Sequence, residues 1–511
     1  MNNGAAKIGM FFLVIGAALI AHFLYSPWGF NPTDEGFILG YSKRVLDGEI
    51  PHAHFISIRP TLSAYLHIPE LLISNSKSLI ISRAIAWIQF GLIAILWVNI
   101  LSPKKSFIQT TALFLVGFMA ITNNYPPMAW HTLDGIMLST TGAYFLTKRK
   151  QYWWLAFLLF CMAYLCKQNF LAVGVFAIIF FPKNWPKKAA TLAIPGIIYV
   201  LFLAINGAFS DFIIQMQSET SLFKTGILTY LKSIWLWLGI LIGIGHILIE
   251  KKKNLVVTNY ASLAVFLTVA CYGLYKGQFY LGPSFLVFGW SLTYLFKKLI
   301  DDYRPIKILG LGIAWAASVS IGFNTPAMAL AVAVVIVLSQ LELPKSIWTV
   351  SVLAIIPFYH YGRTNYVYRD VEIGRHEYHL GNQLTGASGI YTNKRTHDLF
   401  KDLRKLKATS NKQLVLMPYS GAYWALSNSK NPASIHWTSN IEMQNDRLRE
   451  RYIDEMETQR GKVCLLLPKY NTLTIGYGRY PMKYDSGFYL ENYFIENWNL
   501  VSESKFFFVY E

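Results

Sequence analysis

Charge is scarce in this chain: 14% of its 511 residues are Asp, Glu, Lys or Arg, against 54% hydrophobic. That is too little to dress a soluble protein of this length. Cysteine is scarcer still, four in all, and only Cys464 lies in a polar stretch, so no disulfide framework is available. Acidic residues are outnumbered 28 to 46 by basic ones, for a formal charge of +18. Such an excess would suit nucleic-acid binding, but here the basic residues sit in short clusters between apolar runs, which reads as membrane topology and leaves nucleic acid out. The sequence has no Gly-rich phosphate loop, which argues against a nucleotide-driven pump, and no internal repeat or low-complexity tract. Nor does it have an Asn-x-Ser/Thr sequon with x other than Pro; with the missing disulfides, this favours a bacterial inner membrane over the eukaryotic secretory pathway. The apolar stretches are continuous and show no period-two alternation, which argues against an outer-membrane barrel.

What is present is a series of apolar segments. A helical span needs about 20 mostly apolar residues, and that ruler yields thirteen candidates, near 8–25, 79–100, 107–122, 132–147, 152–166, 169–182, 189–206, 227–249, 256–273, 280–296, 308–323, 326–340 and 346–360. The first lacks a small-residue cleavage site and runs into Pro27-Trp28, so it is expected to be a retained helix. Two pairs, 152–182 and 308–340, are interrupted by Lys167-Gln168-Asn169 and Asn324-Thr325-Pro326. If both are hairpins, the clusters at Lys104-Lys105, Lys148–Lys150, Lys183 with Lys187-Lys188, Lys251–Lys253, Lys297-Lys298 with Arg304 and Lys307, and Lys345 share one side. Positive-inside makes that side cytoplasmic. The expected architecture is a mainly α, polytopic membrane protein with a cytoplasmic N-terminus. Residues 1–360 form the transmembrane part, with an outer loop at about 27–78 and another around Ser210–Lys224. Residues 361–511 form a small extracytoplasmic α/β domain: helices are expected at Thr396–Lys407 and Met443–Gln459, strands at Gln413–Met417, Val463–Leu467 and Phe506–Tyr510, with some parallel pairing.

Ionisable groups near hydrocarbon are costly unless used or paired. Upstream of the C-terminal domain, most acids fall on the predicted outer side: Asp34, Glu35, Asp47, Glu49, Glu70, Asp134, Asp211 and Glu219, against Glu250, Asp301, Asp302 and Glu342 inside. Asp34-Glu35 follows Asn31-Pro32-Thr33 and precedes Gly36 and an amphipathic helix expected at Phe37–Leu46. Thr33 or Asp34 suits an N-cap; equally, a carboxylate partly desolvated at the membrane boundary suits a general base toward a hydroxyl. The adjacent acids are compatible with shared protonation or a divalent cation, although no resident cofactor is expected. Asp134 enters the fourth segment from outside, either as a helix-start acid or to orient substrate, and His131 beside it is more commonly a hydrogen-bonding group than a metal ligand. Four cations, Arg59, Arg83, Lys167 and Lys276, fall at outer ends of segments against the positive-inside trend. Each can snorkel or pair with an acid; together they suit an anion such as phosphate at the membrane surface.

The ordered series Asp34-Glu35-Gly36, Leu46-Asp47-Gly48-Glu49-Ile50-Pro51 and Arg59-Pro60 resembles the opening loop of GT-C glycosyltransferases, near the protein O-mannosyltransferases and the lipid A aminoarabinose transferases. The Arg83 and Asp134 stretches and the Lys167-Gln168-Asn169 turn look like their counterparts. The family's Lys-Pro-Pro is here Arg59-Pro60-Thr61. The resemblance covers about the first 180 residues by motif and the rest by architecture. It implies an integral membrane enzyme that moves a sugar from a polyprenyl-phosphate carrier to an extracytoplasmic acceptor hydroxyl on a glycan, lipid or protein, usually with inversion. It makes Asp34 the base, with Glu35 and Asp134 orienting substrates and Arg59, Arg83 and Lys167 facing the carrier phosphate; Lys276 joins them by its placement. A lipid-linked polysaccharide ligase or polymerase is the nearest alternative, although those resemble chains with catalytic residues on a late loop. A secondary transporter would place ionisable groups at mid-membrane and show paired halves.

Overall fold

The computed structural model describes residues 4–102, 105–123, 126–217, 222–251, 255–297, 303–320, 324–440 and 442–511. Of the residues singled out above, Lys104, Glu219, Lys252-Lys253, Lys298 and Asp301-Asp302 lie outside them. The chain is mainly helical with a small C-terminal sheet. Each of the thirteen apolar segments is helical over most of its described length. Both doubtful pairs break at their polar interruption: Trp153–Cys166 ends at Lys167, which is extended, and Arg304–Ser318 gives way before Thr325 to the short helical stretch Pro326–Ala329 and then Ala331–Ser339.

Length and composition separate the helices. Gly4–Tyr25, Ser78–Leu101, Trp185–Ile205 and Leu255–Tyr275 are long and apolar enough to cross a membrane, and the bent pair Leu222–Lys232 and Ile234–Lys251 makes a fifth if it is one span. Others fall short of a full crossing on their own: Phe107–Thr122, with 16 residues, rises about 24 Å at 1.5 Å each, less than a core of about 30 Å. Buried Trp87, Phe90, Trp97, Phe114, Phe157, Trp290 and Trp348 share the bundle core. Between apolar helices close approach replaces the hydrophobic drive. A Cβ on Gly239 would lie 2.0 Å from the Leu286 carbonyl oxygen and one on Gly289 2.2 Å from that of Leu236, so the Ile234–Lys251 and Gly282–Thr293 helices meet backbone to backbone there.

After the Lys345–Asn365 helix the chain forms the two-residue strands β1 (Tyr378–His379) and β2 (Tyr391–Thr392), then a sheet of β3 (Gln413–Leu416), β4 (Val463–Pro468), β5 (Leu500–Glu503) and β6 (Phe507–Tyr510). Its order is β3-β4-β6-β5, with β3 and β4 parallel and the other pairs antiparallel. The expected helices appear as Lys394–Thr409 and Asp446–Thr458; β5 and the helix Tyr489–Asn497 are additions. Successive strand residues face opposite sides; β4 is buried on both faces and β3 after exposed Gln413, whereas the edge strand β5 is exposed throughout. Leu414, Leu416, Cys464 and Leu466 share a hydrophobic cluster with Phe30, Phe37, Tyr41 and Phe55 of the segment between the Gly4–Tyr25 and Ser78–Leu101 helices on one face. Val415, Val463, Leu465 and Leu467 meet Ile56, Ile58, Tyr452 and Phe494 on the other. Burial on both faces explains why β4 reads as a continuous apolar run. The C-terminal region and the first loop thus share their core.

Candidate functional site

The segment between Tyr25 and Phe37 is held by one guanidinium. Arg83, on the Ser78–Leu101 helix, spreads its five N–H groups over Glu35 and loop carbonyls. Its Nε and Nη2 donate to Glu35 Oε1 and Oε2 at 2.8 Å each, Nη2 also to the Gly29 carbonyl at 2.7 Å, and Nη1 to the carbonyls of Ser26 and Trp28. Glu35 Oε2 further accepts from the Asn31 backbone at 2.9 Å, and burial raises the Glu35 pKa against the pull of Arg83. Capping falls to Asn31, whose Oδ1 accepts from the backbones of Thr33 and Asp34 at 2.8 and 3.3 Å. The helix Phe37–Leu46 itself starts at Gly36 with no side-chain cap, so the N-cap role considered for Thr33 or Asp34 is not the one their side chains play. Gly36 sits at φ +85°, and a Cβ there would come within 2.8 Å of Ala422 Cα in the C-terminal region. That double demand allows only glycine.

The tight turn delivers Asp34 to the seam with the C-terminal region. Its carboxylate is buried, and Oδ2 accepts from the Tyr368 hydroxyl at 2.7 Å and pairs with Arg369 Nη1 at 2.9 Å. Oδ1 accepts no hydrogen bond among the described residues. Burial raises the Asp34 pKa above the ordinary carboxylate value; Arg369 and Tyr368 act in the opposite direction. Arg369 itself has a left-handed backbone, φ +52°, its side chain is about a third exposed, and its Nη1 also donates to Thr33 Oγ1 at 3.0 Å. Its guanidinium lies 5.1 Å from the Tyr368 ring centre. Asp370 fixes this segment to the loop and to the sheet side, accepting from the Phe30 backbone at 3.0 Å and Asn393 Nδ2 at 2.6 Å. Aromatics flank the carboxylate: Trp437 donates to the Thr33 carbonyl at 3.2 Å and packs edge-on against Tyr419, whose hydroxyl lies in the field of both Asp34 and Arg369.

Behind Tyr419 lies Glu491, buried in the first turn of Tyr489–Asn497. Its Oε1 accepts from Thr438 Oγ1, while Oε2 has no partner among the described residues. Burial pushes its pKa up to about 7. A raised carboxyl contributes most to stability below its unfolded value and loses that contribution as pH rises through 7. Glu491→Gln, which mimics the neutral acid, is therefore expected to raise the thermal midpoint at pH 8 by the equivalent of about 2–3 kcal/mol and to change little at pH 4. Melting curves at both pH values that show no difference would refute this.

Asp134 stands elsewhere. On the first turn of His131–Lys148, it receives Gln89 Nε2 at 2.9 Å and the His67 ring at 3.2 Å, while His67 Nδ1 meets Glu70 at 2.5 Å. Burial alone would lower the His67 pKa, but Asp134 and Glu70 outweigh it and raise it to about 10. His67 is thus an imidazolium between two carboxylates, and its contribution is complete below its unfolded pKa of about 6.5 and lost as pH rises through 10. Stability is expected to decline between pH 7 and 10 by a few kcal/mol, and His67→Gln to flatten that decline. Thermal unfolding across this range gives the check; a wild-type midpoint that rises would contradict it.

The remaining cations are divided. Arg59 Nη1 pairs with buried Glu442 at 2.7 Å and shares a small cavity of about 20 Å³ with Tyr41, Thr61 and His131. Lys167 Nζ donates to Thr132 Oγ1 at 3.2 Å, and both Arg59 and Lys167 project their charge onto His131. The Phe37 ring, 4.5 Å from Trp437 and 5.8 Å from Trp130, stands between that neighbourhood and the Asp34 seam. Lys276 is exposed beside the Tyr275 ring, itself stacked on Tyr361. Among the described residues no group of three or more His, Cys, Asp and Glu side chains is arranged to hold a metal ion. Three residues here escaped sequence reasoning: Tyr368-Arg369 carries no motif, whereas His67, three residues before Glu70, had a readable spacing. Comparison with protein-family models, with curated proteins and with solved structures finds no match to this chain.

Proposed function

We propose that this chain is a GT-C-type membrane glycosyltransferase, with thirteen spans, a cytoplasmic N-terminus and the Asp34 seam outside a bacterial inner membrane. It moves a sugar from a polyprenyl-phosphate carrier to an acceptor hydroxyl. The observation that carries the reading is a buried carboxylate of raised pKa with one oxygen open, beside an arginine with N–H groups to spare. The grouping of chain ends supports the topology. Segments around 148–153, 181–188 and 303–306 meet at one end of the bundle, while Asn169 and Val319, and Gln168 and Ile58, are bonded at the other.

In this reading Asp34 Oδ1 takes the acceptor proton as the acceptor oxygen bonds to the sugar's anomeric carbon. The bond from that carbon to the phosphate oxygen breaks on the opposite face, and the carrier leaves as a phosphate monoester. Inversion follows. Arg369 receives the growing phosphate charge with its Nε and Nη2 hydrogens, which suit bidentate donation. Arg59 and Lys167 border the acceptor side, Asp134 positions the helix start through His67, and Lys276 lies at headgroup depth. Arg83 and Glu35 hold the loop.

The test is transfer from a panel of polyprenyl-phosphate sugars by the purified full-length protein. Arg369→Ala is expected to raise the donor KM about tenfold or more, the worth of a charge-assisted hydrogen bond, and to move the acid limb of the pH–rate profile upward, because Arg369 holds the Asp34 pKa down. An unchanged KM and profile removes Arg369 from the site; absence of transfer from every donor removes the reading.

A further inference from the structure

At the end of the bundle remote from Asp34 lies a cavity of about 760 Å³, where the helix that carries Asp134 and the helix that runs into Lys167 have their other ends. From Asp134 to Lys148 the helix climbs fourteen residues, about 20 Å at 1.5 Å each. Four lysines line it, Lys148, Lys150, Lys183 and Lys188, with Trp153, Phe181 and Ile306 as apolar wall. Lys188 is buried, donates to the Phe181 carbonyl at 2.6 Å and lies 5.6 Å from the Phe157 ring centre. Lys148 lies 5.7 Å from the ring centre of Tyr303. Lys150 and Lys183 are exposed and make no ion pair among the described residues. The cavity also borders the start of Trp185–Ile205, a 21-residue helix whose N-cap, Asn184, is left-handed and makes no side-chain cap bond. Uncapped first-turn N–H groups add a partial positive charge.

Snorkelling explains single lysines at a membrane edge. It does not explain four around one concavity whose size falls within the range of ligand sites. The mixture of ammonium groups and apolar wall fits a phosphodiester that brings its own hydrocarbon. Trp185–Ile205 is long and apolar enough to cross a membrane, and the cavity borders its N-terminal end. We propose that this cavity binds the phosphate headgroup of an anionic membrane lipid, independently of the chemistry at Asp34. Basic hollows between transmembrane helices are the kind of surface that reads lipid charge.

The test titrates the purified full-length protein in neutral detergent with phosphatidylglycerol, and with phosphatidylcholine of the same chains, and counts lipid adducts by native mass spectrometry. Phosphatidylglycerol is expected to bind and phosphatidylcholine not. The exposed pair Lys150→Ala/Lys183→Ala is expected to weaken binding roughly tenfold or more. Lys401→Ala/Lys405→Ala, on the polar helix Lys394–Thr409, is expected to leave it unchanged. Equal binding of the two lipids, or equal loss in both lysine pairs, overturns the proposal. Displacement of the lipid by low-millimolar inorganic phosphate overturns the lipid assignment and gives the site to a soluble anion.

Discussion

Asp34→Asn is expected to abolish transfer while leaving the donor bound: turnover falls about 10²- to 10⁴-fold, the usual worth of a positioned general base, and the donor dissociation constant changes little. The asymmetry follows from geometry. Asparagine keeps the volume of the buried side chain, and its amide oxygen can still accept from the Tyr368 hydroxyl that now lies 2.7 Å from Oδ2. What it cannot do is take a proton from an alcohol on the open oxygen. Losing the ion pair also releases Arg369, whose full charge then faces the donor phosphate, so binding is held or tightened. Asp34→Glu supplies the matching control: it restores a base but pushes it about one methylene further into a seam already closed by Arg369 and Tyr368, and intermediate turnover is expected. Donor binding by fluorescence or calorimetry, measured beside single-turnover transfer, separates the two quantities. Asn turnover within tenfold of wild type would remove Asp34 from the chemistry.

How far this site could be read from sequence depends on which forces placed each residue. The helix Phe37–Leu46 falls where the amphipathic pattern puts it, because its apolar residues pack against the short helix Gly421–Leu426 within the shared core and its period is local information. Strands β3 and β4 were equally legible, since both faces are covered and the chain from Leu414 to Leu416 and from Val463 to Leu467 is apolar. Legibility ends where partners are distant: Asp34 and Tyr368 are 334 residues apart, and neither pattern nor spacing links them. The anion reading of four outer cations was a reading of charge without partners. Structure supplies partners, and they differ: a buried carboxylate for Arg59, a whole loop for Arg83, a hydroxyl for Lys167, an aromatic face for Lys276. Capping was misplaced for a smaller reason. The Asn31 amide oxygen, not a side chain of Thr33 or Asp34, accepts from the backbone N–H groups of the turn.

Arg83 is where fold and chemistry give opposite forecasts. If it grips the donor phosphate, Arg83→Met should raise KM and leave the protein as stable as before. With all its N–H groups committed to Glu35 and to the carbonyls of Ser26, Trp28 and Gly29, the opposite is expected. Removing one partner of a buried ion pair leaves the other charged and unpaired, a loss of about 3–5 kcal/mol. Glu35 has no water to turn to, being 1% exposed. Arg83→Lys is expected to recover only part of the loss, because a single ammonium cannot fork across two carboxylate oxygens and three carbonyls. The double variant Arg83→Met/Glu35→Gln is expected to be more stable than Arg83→Met alone, since it removes the stranded charge; that coupling is read directly from a double-mutant cycle of thermal midpoints. A loosened loop carries Asp34 away from Tyr368, so transfer falls with stability and not with donor affinity. A Met variant that melts with wild type and fails only in donor binding would return Arg83 to the phosphate.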